Sequence, residues 1–250
     1  MNKLVLVAAI LAAFAGSIAH AEDAKPEEKK PDNELSFNAA LSSDYRFRGI
    51  SQSRFDPALS AGADYTHNPT GFYLGTWVST IKWIKDIPGG GASVEVDLYG
   101  GKRGEIVKDV SYDVGVLTYY YPSNHLQPNA NTTEIYGQIG YGAAYVKYSN
   151  SLTNAFGASD SKNSGYLDVG LNIDAPMGVT VNLHAGHQTI KSHSEASYTD
   201  FKIGATKDFG FATGSVAIIG TDAPDNGFYV TPSGKNTGKN GVVFSISKTF

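Results

Sequence analysis

From about residue 35 onward, apolar and polar side chains alternate with a period of two. That period belongs to strands with one apolar and one polar environment. Val242, Phe244, Ile246, Lys248 and Phe250 fall on one face, and Val243, Ser245, Ser247 and Thr249 on the other. Leu167, Val169, Leu171 and Ile173 alternate with Asp168, Gly170 and Asn172. The pattern predicts twelve strands, over 35–48, 57–66, 71–81, 93–102, 109–121, 133–142, 143–149, 165–174, 178–190, 198–207, 211–220 and 241–250.

The connections alternate in kind as well. HNPT, RGEIVK, the Gly142 region, APMG and KDFG read as turns, most of them short. KWIKDIPGGGA, PSNHLQPNANT, SNSLTNAFGASDSKNSG and TDAPDNGFYVTPSGKNTGKN read as long loops rich in Gly, Asn, Ser and Pro. Short turns at one end and long loops at the other are the habit of outer-membrane barrels, and an even strand number places both ends of the chain on the short-turn side. A soluble β-sandwich alternates too, but its polar face does not look into an enclosed space. Here Glu95, Asp97, Asp113, Lys147 and Lys202 sit in mid-strand, where a wet lumen would solvate them. The expected fold is therefore all-β, a transmembrane antiparallel up-and-down barrel of about twelve strands. Tyr45, Phe47, Trp77, Trp83 and Tyr119 to Tyr121 gather where strands meet loops, which predicts aromatic girdles at the bilayer interface.

Composition adds a route to the membrane. Lys3 followed by the apolar run Leu4 to Ala15 and by Ala19-His20-Ala21 reads as a signal peptide over 1–21. The run is shorter than the ~20 residues a spanning helix needs. Residues 22–34 are charged and carry two prolines, which predicts a disordered periplasmic lead-in before a barrel over 35–250. Of the 20 Lys and Arg, Lys3 would leave with the signal; set against 24 Asp and Glu, the remainder has a formal charge of −5. That balance argues against nucleic acid as a partner. With no cysteine there is no disulfide, no thiolate metal site and no lipoprotein acylation site.

At Ser43-Asp44-Tyr45-Arg46-Phe47-Arg48-Gly49-Ile50-Ser51-Gln52-Ser53 the chain resembles the TorF family of proteobacterial outer-membrane proteins, which are classed as porins without an established substrate. Looser matches follow at Gly71 to Trp77, Val94 to Gly101, Ser111 to Val116, Tyr119 to Pro122 and Val243 to Phe250. The resemblance implies a porin-like barrel in the bacterial outer membrane. A terminal aromatic, Phe250, on an alternating strand is what the barrel-assembly machinery accepts, so it is the expected assembly signal.

The expected function is passive diffusion of small polar solutes or ions, with lumen charges setting preference. Outer-membrane lipid and the assembly machinery are the other expected partners; no oligomerisation signature is visible. Asp44, Arg46 and Arg48 have the spacing of one strand face and are expected to point into the lumen near its outer end. Glu95, Asp97, Asp113, Lys147 and Lys202 are further pore-lining candidates. Two other readings stand beside this one: a structural or adhesive barrel, and a lipid-modifying enzyme. No catalytic, metal or cofactor residues are assigned. Gly49 to Ser53 stops short of a nucleophile elbow. His193-Ser194-Glu195 has suitable residue types but lies in an expected loop. His184 and His187 are three apart and should face opposite ways on a strand.

Overall fold

The computed structural model describes residues 30–225 and 227–250; the expected signal peptide over 1–21 and most of the expected lead-in over 22–34 lie outside them. Fourteen strands are present among the described residues, and twelve close into one antiparallel barrel. The barrel strands are β1 (Asn33–Ser42), β4 (Ala58–His67), β5 (Phe72–Thr80), β6 (Val94–Val107), β7 (Val110–Tyr120), β8 (Thr132–Tyr141), β9 (Ala144–Ser151), β10 (Gly165–Ala175), β11 (Val179–Thr189), β12 (Tyr198–Asp208), β13 (Thr213–Thr221) and β14 (Gly241–Thr249). Two short strands, β2 (Arg46–Phe47) and β3 (Ile50–Ser51), form a separate hairpin, and a one-turn helix α1 (Trp83–Asp86) lies in the loop after β5. Each barrel strand pairs with its neighbours in sequence. The ring closes where β1 meets β14, with Asn38 opposite Thr249 and Ser42 opposite Ser245. Backbone bonds between Phe37 and Phe250 extend that seam.

The alternation sorts the side chains as the sequence predicts. In β1, Leu35, Phe37 and Leu41 are exposed on the outer wall, while Ser36 and Asn38 are buried inside. The same holds for Val169 and Leu171 against Asp168. An outer wall of exposed Leu, Val, Ile and Phe is stable in hydrocarbon and costly in water. At the short-turn end the rim carries Phe72, Tyr141, Phe209, Phe211 and Phe250, all facing outward.

Three expectations are corrected. The first strand ends at Ser42 rather than at residue 48, because the chain turns inward there. The RGEIVK segment is strand for most of its length: β6 runs to Val107, and the turn is held by the Asp109 N–H donating to Glu105 Oε1 (2.9 Å). The expected aromatic girdle at the long-loop end is instead an internal cluster. Tyr119 and Tyr121 are buried and Tyr45, Phe47 and Trp83 pack against them, since Tyr119 and Tyr121 share the inward parity of β7; Tyr120 between them is exposed. The long loops are also less polar in effect than their composition suggests, because Ile81, Ile84, Ala92 and Ala130 complete this cluster.

The interior is filled by an arrangement that recurs around the ring. A tyrosine on one strand lies over a glycine on the next: Tyr99 over Gly75, Tyr136 over Gly115, and Tyr145 over Gly170 are direct cross-strand partners. A Cβ built on Gly170 would lie 2.4 Å from the Tyr145 ring, and one on Gly75 2.5 Å from the Tyr99 ring. Glycine at these positions makes room for a large ring on a tightly curved wall.

Two expected outcomes follow from this wall. Val169→Arg, in mid-strand on the outer face, costs about 2–4 kcal/mol in reversible urea unfolding in lipid vesicles, while Met177→Arg in a short turn costs about 1 kcal/mol or less. Equal costs at the two depths would contradict a lipid-facing band. Gly170→Ala destabilises by about 1–3 kcal/mol through overpacking. Gly137→Ala, whose added Cβ would meet only Val114 at 3.9 Å, leaves the same unfolding midpoint within error.

Candidate functional site

The segment from Ser43 to Pro57 does not stand up from the wall as a loop; it folds into the barrel. The hairpin of β2 and β3 pairs Arg46 with Ser51 and Phe47 with Ile50. Its turn residues, Arg48 and Gly49, have φ of 47° and 79°, the combination a type I′ turn needs at both central positions. Glycine at 49 is also required by space, because a Cβ there would lie 2.4 Å from Thr221 and 2.8 Å from Asp200 on the barrel wall. The hairpin tip is therefore pressed against β12 and β13.

Charge holds the hairpin in place. Asp44 is buried and accepts from Ser51 Oγ (2.6 Å), Ser53 Oγ (2.9 Å) and the Arg46 guanidinium. Arg46 also donates to the carbonyls of Gly49 (2.8 Å) and Lys239 (2.9 Å), tying the hairpin to the loop before β14. Arg48 reaches the far wall. It donates to Glu134 Oε2 on β8 and Gln188 Oε1 on β11, both at 2.6 Å. Its guanidinium lies over the rings of Tyr166 (4.3 Å) and Phe47 (4.7 Å). Phe47 packs edge-to-face on Tyr119 and Phe156, with centroids 5.2 and 5.5 Å away. At the base, Arg54 pairs with Asp86 (2.7 Å) and Lys82 with Asp56 (2.6 Å).

The other sequence-predicted residues all face the interior, although the setting is tighter than an open wet lumen. Glu95 is 1 % exposed and accepts from the Tyr45 hydroxyl at 2.7 Å. Asp97 is buried beside it, and its Oδ1 has no partner among the described residues. Asp113 accepts from Tyr73 (2.6 Å), and Lys147 lies 4.0 Å over the Tyr136 ring. Asp44, Arg46 and Arg48 are inside, as the spacing of two suggests, but a hairpin carries them there and not the wall strand. Phe250 is exposed at the rim beside Lys248, whose ammonium lies 5.7 Å from its ring.

A further cluster lies deeper and was not singled out by motif. His184 sits between two acids, with Nδ1 2.8 Å from Asp168 Oδ1 and Nε2 2.7 Å from Asp200 Oδ2. The Tyr166 hydroxyl donates to Asp200 Oδ1 at 2.8 Å. Gly186 stands between the acids in the strand register, Asp168 opposite Gly186 and Gly186 opposite Asp200. A Cβ there would lie 2.0 Å from the Tyr166 hydroxyl. The sequence shows this constellation only once three strands are in register. His187 faces outward, opposite to His184, as the strand period requires. Beneath the hairpin, along the arc of strands β5, β4, β1, β14, β13, β12 and β11, a cavity of about 110 Å³ remains. Lys202, Trp77, Arg46 and several hydroxyls line it.

Comparison with known proteins agrees with this architecture. Among solved structures, a KdgM porin superposes with a TM-score of 0.55 at 8% identity, covering 86% of this chain and 98% of its own. A KdgM porin in complex with disordered oligogalacturonate gives a TM-score of 0.52 at 8% identity, covering 86% and 97%. At such identities the likeness is one of fold: a bacterial outer-membrane porin-like barrel, without singling out the TorF family. No curated protein sequence matches the chain. A family profile does match, over residues 26–250. Because that match takes in nearly the whole sequence and every strand of the barrel, the chain belongs to the family described as bacterial protein of unknown function (Gcw_chp).

Proposed function

We propose that this protein is a porin-like channel of the bacterial outer membrane, passing small polar solutes or ions by diffusion, with the inward hairpin as its constriction. The observation that carries the reading is the span of Arg48, which leaves the β1 side and is held by Glu134 and Gln188 on the far wall. A charged bar across a barrel lined with polar groups sets both the width of the passage and the sign of what crosses it. The outer apolar wall supports residence in lipid, and the short-turn rim with Phe250 is the end to be offered to the assembly machinery from the periplasm. The Ser43 to Ser53 motif, which forms this hairpin, is also the basis for placing the protein with the TorF porins. In this reading Asp44, Arg46 and Arg48 shape the constriction, while Glu95, Asp97, Asp113, Lys147 and Lys202 supply the charge around it.

The sign of the selectivity can be worked out. Arg48→Ala removes a cation and leaves the Glu134 carboxylate uncompensated, so cations gain. One charge about 4 Å from a permeant ion in water-like surroundings is worth ~1 kcal/mol, or about fivefold in the cation-to-anion permeability ratio. Single-channel recording in planar bilayers under a salt gradient should show larger steps and a reversal potential shifted toward cations. Arg48→Ala combined with Glu134→Gln should keep the larger steps and lose most of the shift. The compact gel mobility of the unheated protein verifies folding in each case. A folded wild-type barrel that carries no current would overturn the channel and favour a structural barrel closed at its mouth.

A further inference from the structure

The cavity beneath the hairpin is lined by the Lys202 side chain and several hydroxyls. Trp77 lines it with its ring, since its Nε1 is shut off from the space and has no hydrogen-bond partner among the described residues. Lys202 lines the same cavity and makes neither a hydrogen bond nor a direct ion pair among them. Its nearest acids, Asp168 and Asp200, are already engaged by His184, and Asp200 by Tyr166 as well. The one carboxylate in the lining, Asp44, is taken up by Arg46, Ser51 and Ser53. Ser215 and Ser245, cross-strand partners in the lining, bond each other at 2.7 Å, and Ser42 and Ser60 line the same space. The lining thus offers an ammonium and hydroxyls, with its one acid among the described residues already neutralised.

An ammonium with no carboxylate of its own in a confined polar space attracts an anion. An anion entering the cavity would supply that counter-charge. At about 110 Å³ the space accommodates a body of a few heavy atoms. We infer that the cavity is a subsite for a small organic monocarboxylate, its carboxylate on Lys202 and its hydroxyl among the serines. This rests on the channel reading and narrows it: such anions would be the solutes held next to the constriction.

The probe is sodium glycolate, with ethylene glycol and methylammonium chloride as neutral and cationic controls. Saturation-transfer NMR on the full chain in detergent micelles measures binding, and bilayer recording of the same preparation measures passage. Glycolate saturation that exceeds both controls, that falls in affinity about tenfold or more in Lys202→Gln, and that returns in Lys202→Arg supports the subsite. Saturation that is absent, or equal in wild type and Lys202→Gln, overturns it. Current without glycolate binding sinks the subsite alone. Binding in a barrel that passes no current supports the subsite and overturns the channel.

Discussion

Closure of the sheet, β1 on β14, is the constraint on which the rest of this structure depends. In lipid an unpaired strand edge leaves N–H and C=O groups with no partner, and each costs several kcal/mol. A ring removes the edges and divides the side chains by parity into those that meet hydrocarbon and those that meet the interior. Every later feature is a response to that division. The outer face can be monotonous, Leu, Val, Ile and Phe, because lipid conforms to it. The inner face has to be fitted, because twelve strands enclose too little room for arbitrary side chains.

The fit is made by pairing large with small across neighbouring strands. Tyr99 on Gly75, Tyr136 on Gly115 and Tyr145 on Gly170 place rings over backbone that carries no Cβ. Such hydroxyls then serve the interior acids: Tyr99 donates to Asp64, and Tyr73, which stands opposite Gly101, donates to Asp113. Packing and polar satisfaction are thus handled by the same residues, which is why interior carboxylates are tolerated in such numbers.

The hairpin of β2 and β3 extends the same logic from the wall to the centre. Alone, a two-residue hairpin is not stable. Here it is held by buried charge pairs, Asp44 with Arg46 and Glu134 with Arg48, and by Phe47 among Tyr119 and Phe156. Buried ion pairs contribute little net stability, because desolvation offsets attraction, but breaking one is severely unfavourable. Their role in this barrel is to fix position. Arg48 is satisfied only where Glu134, Gln188 and Tyr166 converge, so the hairpin has one place to sit.

The sequence by itself determined the number of wall strands and, for most of them, which way their side chains face. A period of two is a local property, and lipid outside with polar groups inside turns it into a wall without further information. The alternation of short turns and long loops was equally legible, because length and Gly, Asn and Pro content are local too. What only the tertiary structure decided were matters of register and of inward folding. The strand expected to reach residue 48 stops at Ser42, since Arg48 and Gly49 at positive φ make a turn whose reward is contact with β8, β11 and β12, far away in sequence. Asp168, His184 and Asp200 converge because β10, β11 and β12 pair in one register; a slip by one residue would turn these side chains to lipid. Tyr119 and Tyr121 lie within the mouth and not at the bilayer interface because parity, not proximity to a loop, chooses the face. Parity is written along one strand, whereas contact across the barrel exists only once twelve strands are closed.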